Sequence, residues 1–296
     1  GKDAALFVPT GTFGNQLALF THCERGNEVI LGDNCHIVQH EVGASSIIAG
    51  VQLRTLSDDK NGLNPNQIED KIRKEKDIHY PDTGLICLEN ALSNGRVVSL
   101  DNMKRIYAIS KKYNVPIHVD GARLFNASTY LGVDVKEIAG LCDSVMFCLS
   151  KGLCAPVGSM LAGSKDFIEK ARRRRKIMGG GMRQAGVLAA AGLIALEKMR
   201  LRLKEDHDNA LFLADELEKI PGIYVYRDNI HINMVFFDIS DTEYSSEKLV
   251  AELYEKGIRI SPAENGTMRF VTHYWVDTEK ILYAVDCIRQ IITGAR

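Results

Sequence analysis

The chain has 296 residues, 45% hydrophobic and 25% charged, with 37 basic residues against 38 acidic ones. A formal charge of −1 gives no general attraction to nucleic acid or to an anionic membrane. No apolar stretch approaches a membrane span, and no secretory signal is visible. The length exceeds what one compact core needs, so one large and one small domain are expected, with small-molecule chemistry the favoured class. Seven cysteines without a CxxC pair fit a reducing cytoplasm. Cys142, Cys148 and Cys154 are evenly spaced, but no nearby ligand pair supports a metal site, and none is expected.

The chain opens on Gly1-Lys2-Asp3 and runs at once into the apolar AALFVP, as a sequence entered partway through a domain does. Short apolar runs then alternate with amphipathic stretches, the pattern of an α/β fold with a mainly parallel sheet. Strands are predicted at 28–33, 51–56, 84–90, 115–120, 144–150 and 158–163, with helices near 14–24, 38–48, 65–76, 101–113 and 164–177. The segment MRQAGVLAAAGLIALEKM (182–199) is apolar on most faces, which predicts a helix buried between layers or subunits. Beyond about residue 203 the rhythm changes to a small α+β domain. A charged helix (203–219) is followed by strand-like runs at YVYRD, INMVFFDI, IRISP and TMRFVTH, interleaved with helices near 246–256 and 277–293. The expected division is therefore 1–202 and 203–296.

Three pieces carry chemistry. VPIHVDGAR ends a buried-type strand in Asp120, and open α/β sheets bind ligands beyond the carboxyl ends of their strands. An acid there serves as a metal ligand, a general base or a partner for a cationic ring nitrogen, or it merely caps a turn. DSVMFCLSKG ends another strand before Lys151. Desolvation there frees an amine to act as a nucleophile, whereas a snorkelling surface lysine is the plain alternative. PTGTFGN places Gly11 and Thr12 where a loop enters a helix, and helix-start amides with a hydroxyl suit a phosphate, although Thr12 also reads as a simple N-cap. The spacing is neither a Walker motif nor GxGxxG. A phosphate cradle, an acid and a lysine on separate strand ends together match the needs of pyridoxal 5'-phosphate: an anchored phosphate, a protonated pyridine nitrogen and an amine.

The strings AALFVPTGTFGNQ, HVDGAR, FCLSKGL, APVGS, GGGMRQAGVLAAAG, LKEDHDNA and MRFVTH resemble the low-specificity L-threonine aldolase family over essentially the whole chain. The related β-eliminating lyases share the fold and fewer of these strings. The resemblance implies a fold type I pyridoxal-phosphate-dependent transferase-like large domain, and cleavage of L-threonine, L-allo-threonine and related β-hydroxy-α-amino acids to glycine and an aldehyde. It implies Lys151 as the Schiff-base lysine, Asp120 at the pyridine nitrogen, and Gly11 and Thr12 at the phosphate. His36, which the residues alone mark only as a half-buried loop histidine, is implied to stack on the pyridine face. Arg123 is implied beside the cofactor and the substrate carboxylate, and Arg269 as the clamp on that carboxylate. Arg183 is implied to reach the phosphate region across a subunit boundary, in a homotetramer built as a dimer of dimers. The basic run Arg172–Lys176 reads as the solvated face of a helix.

Two departures stand out. Where the family commonly reads ENTHN this chain reads ENALSN, so Leu92 occupies the place of a histidine near the substrate β-hydroxyl, and leucine moves no proton. His40 and His118 are replacements only by residue type, and His118 shares a strand face with Asp120. The family also carries a few tens of residues, including an SDT segment, ahead of the point where this sequence opens. These departures leave open alanine racemisation, β-elimination, or a cofactor-binding homologue with impaired turnover.

Overall fold

The computed structural model describes residues 1–59 and 61–294. The chain divides into two compact units: Gly1–Ser93 with Val97–Arg200, and a second that begins at Leu201 and includes Asn94–Arg96. Along the first run β1 (Ala4–Val8), α1 (Gly11–His22), β2 (Glu28–Gly32), α2 (His36–Gln39), β3 (Gln52–Leu56), α3 (Pro65–Lys71), β4 (Thr83–Glu89), α4 (Leu100–Tyr113) and β5 (Ile117–Asp120). They are followed by α5 (Leu124–Leu131), α6 (Val135–Ala139), β6 (Ser144–Cys148), β7 (Ser159–Gly163), α7 (Lys165–Ile177) and α8 (Gly186–Glu197). The seven strands form one sheet in the order β1-β7-β6-β5-β4-β2-β3. From β3 to β6 neighbouring strands are parallel, while β7 lies antiparallel between β6 and β1.

Every residue of β2 and β5 is buried, which is why they read as unbroken apolar runs rather than alternating ones. Parallel pairing brings the carboxyl ends of β4, β5 and β6 to one edge of the sheet. Glu89 pairs in register with Asp120, and Asp120 with Met146. The helices start where side chains can satisfy the first amides: Thr10, Ser99 and Ser164 cap α1, α4 and α7.

The structure departs from the sequence expectations in particular places. AALFV is a strand, β1, on the sheet edge. The expected helix over 38–48 is broken into α2 and a π-helical turn at Ser45–Ala49, because Val42 and Gly43 take left-handed backbone between them, with φ of 54° and 68°. Helix α8 is shorter than expected and is not buried between layers of this chain. Only Gly192 and Ala195 are buried within it, and Val187, Leu193 and Ile194 are exposed.

The second unit contains α9 (Leu203–Leu217), β8 (Tyr224–Val225), β9 (Met234–Asp238), α10 (Ser246–Glu255), β10 (Met268–Val271) and α11 (Thr278–Thr293). Its three strands form an antiparallel sheet in the order β10-β9-β8, over a core that includes Phe237, Leu213, Leu249 and Ile288. IRISP does not form a strand, consistent with Pro262, which has no amide to donate to a ladder. No helix among the described residues is long and apolar enough to cross a membrane.

Candidate active site

An open cleft of about 280 Å³ lies over the carboxyl edge of the first unit's sheet. Gly11, Thr12, His36, Asp120, Arg123 and Lys151 all line it, so six of the residues singled out in the sequence converge there although they are scattered over 141 positions of chain, from 11 to 151. Each arrives by a simple route. Gly11 and Thr12 open α1, whose cap Thr10 accepts the amide of Phe13 at 3.0 Å, leaving the first amides of the helix without intrahelical partners. Asp120 ends β5, and Lys151 follows β6 by three residues. Arg183 is exposed outside the cleft, between α7 and α8, and Arg269 is exposed on β10 of the second unit.

Asp120 is 3% exposed. Its Oδ1 accepts the backbone amide of Ala122 at 3.1 Å and its Oδ2 the Asn15 side-chain amide at 2.7 Å. Burial raises its pKa, opposed first by the nearby Lys151 charge. His36 is tied through Nδ1 to Glu41 Oε1 at 2.9 Å, and this hydrogen bond to a buried carboxylate raises the pKa of its imidazole. Glu41 also accepts from Asn15 at 2.9 Å and from Gln16 at 2.6 Å. The donor atoms of His36, Glu41 and Asp120 lie within 4.8 Å of one another. Asn15 donates to both carboxylates, so an N–H group bridges the two acids that a cation would need.

Sequence reasoning missed Asn15, Glu41 and Glu89. Glu89 lines the cleft and accepts the His36 amide at 2.8 Å on Oε2 and the Ser93 hydroxyl at 2.7 Å on Oε1. Burial, and then the Asp120 charge, push its pKa to about 7. Its signal in the sequence was the same as that of Asp120, an acid ending an apolar strand. Leu92 lines the same wall and is 7% exposed. His118 is fully buried beneath the site, and His40 is exposed with its ring 5.4 Å from that of His36.

The donor set fits pyridoxal phosphate. A buried carboxylate that could counter a pyridinium charge, an amine after the neighbouring strand and the N-terminus of a twelve-residue helix all line the same cleft. Gly11 belongs to this cradle because a Cβ there would meet Cys148 Sγ at 3.0 Å and Met146 Cε at 3.3 Å, so a side chain would push α1 away from β6.

Comparison with known proteins gives the family and the fold. The β-eliminating lyase family profile matches residues 1–240. Low-specificity L-threonine aldolase 1 of Arabidopsis thaliana is 46% identical over 296 residues, covering 98% of this chain and 83% of that protein. The low specificity L-threonine aldolase of Escherichia coli K12 is 40% identical over 282 residues, covering 95% and 82%. The solved threonine aldolase of Leishmania major superposes with a TM-score of 0.81 at 22% identity over 97% of this chain and 84% of that one, so the architecture is that of the fold type I pyridoxal-phosphate enzymes. The chain belongs to the β-eliminating lyase family and, within it, to the low-specificity L-threonine aldolases.

Proposed function

We propose that this protein is a pyridoxal-phosphate-dependent aldehyde-lyase that cleaves L-threonine, L-allo-threonine and related β-hydroxy-α-amino acids to glycine and an aldehyde. The observation that carries the reading is the convergence of Lys151, Asp120 and the start of α1 on one cleft, in a chain 46% identical to a low-specificity L-threonine aldolase. When bound, the cofactor supplies an electron sink for the pair released as the Cα–Cβ bond breaks. Lys151 would hold the cofactor by its Nζ. Asp120 would supply the counter-charge to a protonated ring nitrogen, and Gly11 and Thr12 would hold the phosphate. His36, held by Glu41, would pack against the cofactor. Arg123, in the cleft, would bind the substrate carboxylate, and the family resemblance is what gives Arg269 the same role and Arg183 of another subunit a role at the phosphate.

The proton on the substrate β-hydroxyl needs an acceptor, and Leu92 cannot be it. Glu89 is the group we assign. It lines the cleft beside Leu92, and a carboxyl with a pKa of about 7 exchanges protons at neutral pH. Ser93, hydrogen-bonded to Glu89 Oε1, extends its reach.

The proposed division is a cofactor-binding large domain over 1–202 and a small domain over 203–296, supported by the cleft residues Gly11 to Lys151 all lying in the first. A homotetramer built as a dimer of dimers is part of the proposal, and the exposed apolar Val187, Leu193 and Ile194 of α8 support a subunit contact at that helix. A cytoplasmic location is supported by seven free cysteines. Incubating the cofactor-loaded protein with L-threonine, L-serine and L-alanine tests the activity. Glycine and acetaldehyde from threonine are expected. D-alanine from L-alanine, or 2-oxobutanoate from threonine, as the main product would replace this reading with racemisation or β-elimination.

A further inference from the structure

Behind Asp120 lies a line of polar groups that starts at Asn15, on the cleft wall, and runs inward through His118 and Ser144 to His22. Its geometry fixes where each hydrogen sits. Asn15 Nδ2 faces two carboxylates, Asp120 at 2.7 Å and Glu41 at 2.9 Å, so that end of the amide is the NH2 and its Oδ1 points away from them. Oδ1 lies 3.2 Å from His118 Nε2, and a carbonyl oxygen only accepts, so Nε2 carries a hydrogen. His118 is 0% exposed and burial holds its pKa down to about 3, which makes the ring neutral and leaves Nδ1 bare. Ser144 Oγ, 2.9 Å away, therefore donates to Nδ1. The same hydroxyl oxygen lies 2.7 Å from His22 Nε2, which must donate to it. His22 is neutral as well, its pKa lowered to about 4 chiefly by burial.

Every hydrogen from His22 to Asp120 thus points the same way. We propose that His22, Ser144, His118 and Asn15 form a directional hydrogen-bond chain that holds Asp120 ionised and oriented, with Ser144 and His118 as positioning residues for the reaction. Aligned donors polarise one another, so the last bond, to the carboxylate, is stronger than an isolated one, and a buried carboxylate without such donors takes up a proton instead. The chain crosses α1, β5 and β6 and comes to an end on the ring face that α7 covers, where His22 stacks on Phe167 with centroids 4.4 Å apart. The charged groups around it are Lys151, Glu41, His36 and Glu89 near Asp120, and Asp143 and Arg174 near His22. The consequence for the cofactor rests on the proposed function. The hydrogen positions do not.

The test uses the full-length, cofactor-loaded protein with 15N-labelled histidine, as wild type and as Ser144→Ala and Ser144→Thr. In the wild type the nitrogen shifts are expected to show His118 protonated at Nε2 and bare at Nδ1 at pH 7. Ser144→Ala is expected to weaken pyridoxal-phosphate binding roughly tenfold and to lower kcat with little change in KM, while the bound cofactor's visible absorption titrates at a shifted pH. Ser144→Thr, which keeps the hydroxyl, is expected to restore all three. A hydrogen on His118 Nδ1 overturns the chain, and so does a Ser144→Ala protein with unchanged cofactor affinity and absorption titration. If the tautomer and the cofactor shifts appear but threonine is not cleaved, the chain stands and the proposed reaction fails.

Discussion

Glu89 and Asp120 end adjacent strands in register, two acids close enough to disturb each other's titration. Asp120 is compensated by Asn15 and Lys151, whereas Glu89 has a backbone amide and a serine hydroxyl, and burial together with the Asp120 charge pushes its pKa up to about 7. The assigned role requires ionised Glu89, so kcat/KM is expected to rise with pH through about 7. Glu89→Gln should remove that limb and lower kcat roughly 100-fold with a smaller change in KM, as a pH series of initial rates reads directly. An unchanged limb assigns the proton to another group. His118 gives a stability prediction. Its folded pKa of about 3 lies below the ordinary 6.5, so below pH 6.5 the unfolded chain binds a proton that the folded one does not, and folding weakens as pH falls. The stability advantage of wild type over His118→Gln should therefore shrink by about 2 kcal/mol between pH 6.5 and pH 5, by urea titration. Lys151 and Asp120 were legible in the sequence because each follows an apolar strand. Asn15 and Glu41 were not, since their importance comes from contacts across 105 and 26 positions that no local pattern records.

At the scale of elements, the parallel strands were legible because burial on both faces imposes unbroken apolar runs. The stretch after β2 was not. A helical period over 38–48 gives way because Glu41 turns inward to Asn15, Gln16 and His36, and the chain leaves it through Val42 with φ 54° and 93% exposure. A β-branched residue in left-handed backbone costs about 1–2 kcal/mol, partly offset by the entropy a glycine loses there. Val42→Gly is accordingly expected to raise stability by roughly 1 kcal/mol, seen as a higher Tm, with His36 and Glu41 undisturbed. A lower Tm would mean that the valine side chain makes a contact that matters in the assembled protein.

For the whole molecule, the family was readable from sequence, whereas for α8 the apolar composition left burial between layers and burial between subunits both open, and the structure excludes only burial between layers of this chain. Composition reports that a surface is apolar but not which body covers it. Leu193→Glu with Ile194→Glu is expected to lower the oligomeric mass measured by light scattering. An unchanged mass would place the subunit contact elsewhere. The account turns on Lys151 in a threonine-cleaving site, so the most direct test gives L-threonine to the wild type and to Lys151→Ala at saturating pyridoxal phosphate and measures glycine and acetaldehyde. Equimolar products from the wild type, and a loss of at least about 1,000-fold in the variant, are predicted. Full turnover by Lys151→Ala, or no aldehyde from the loaded wild type, would contradict it.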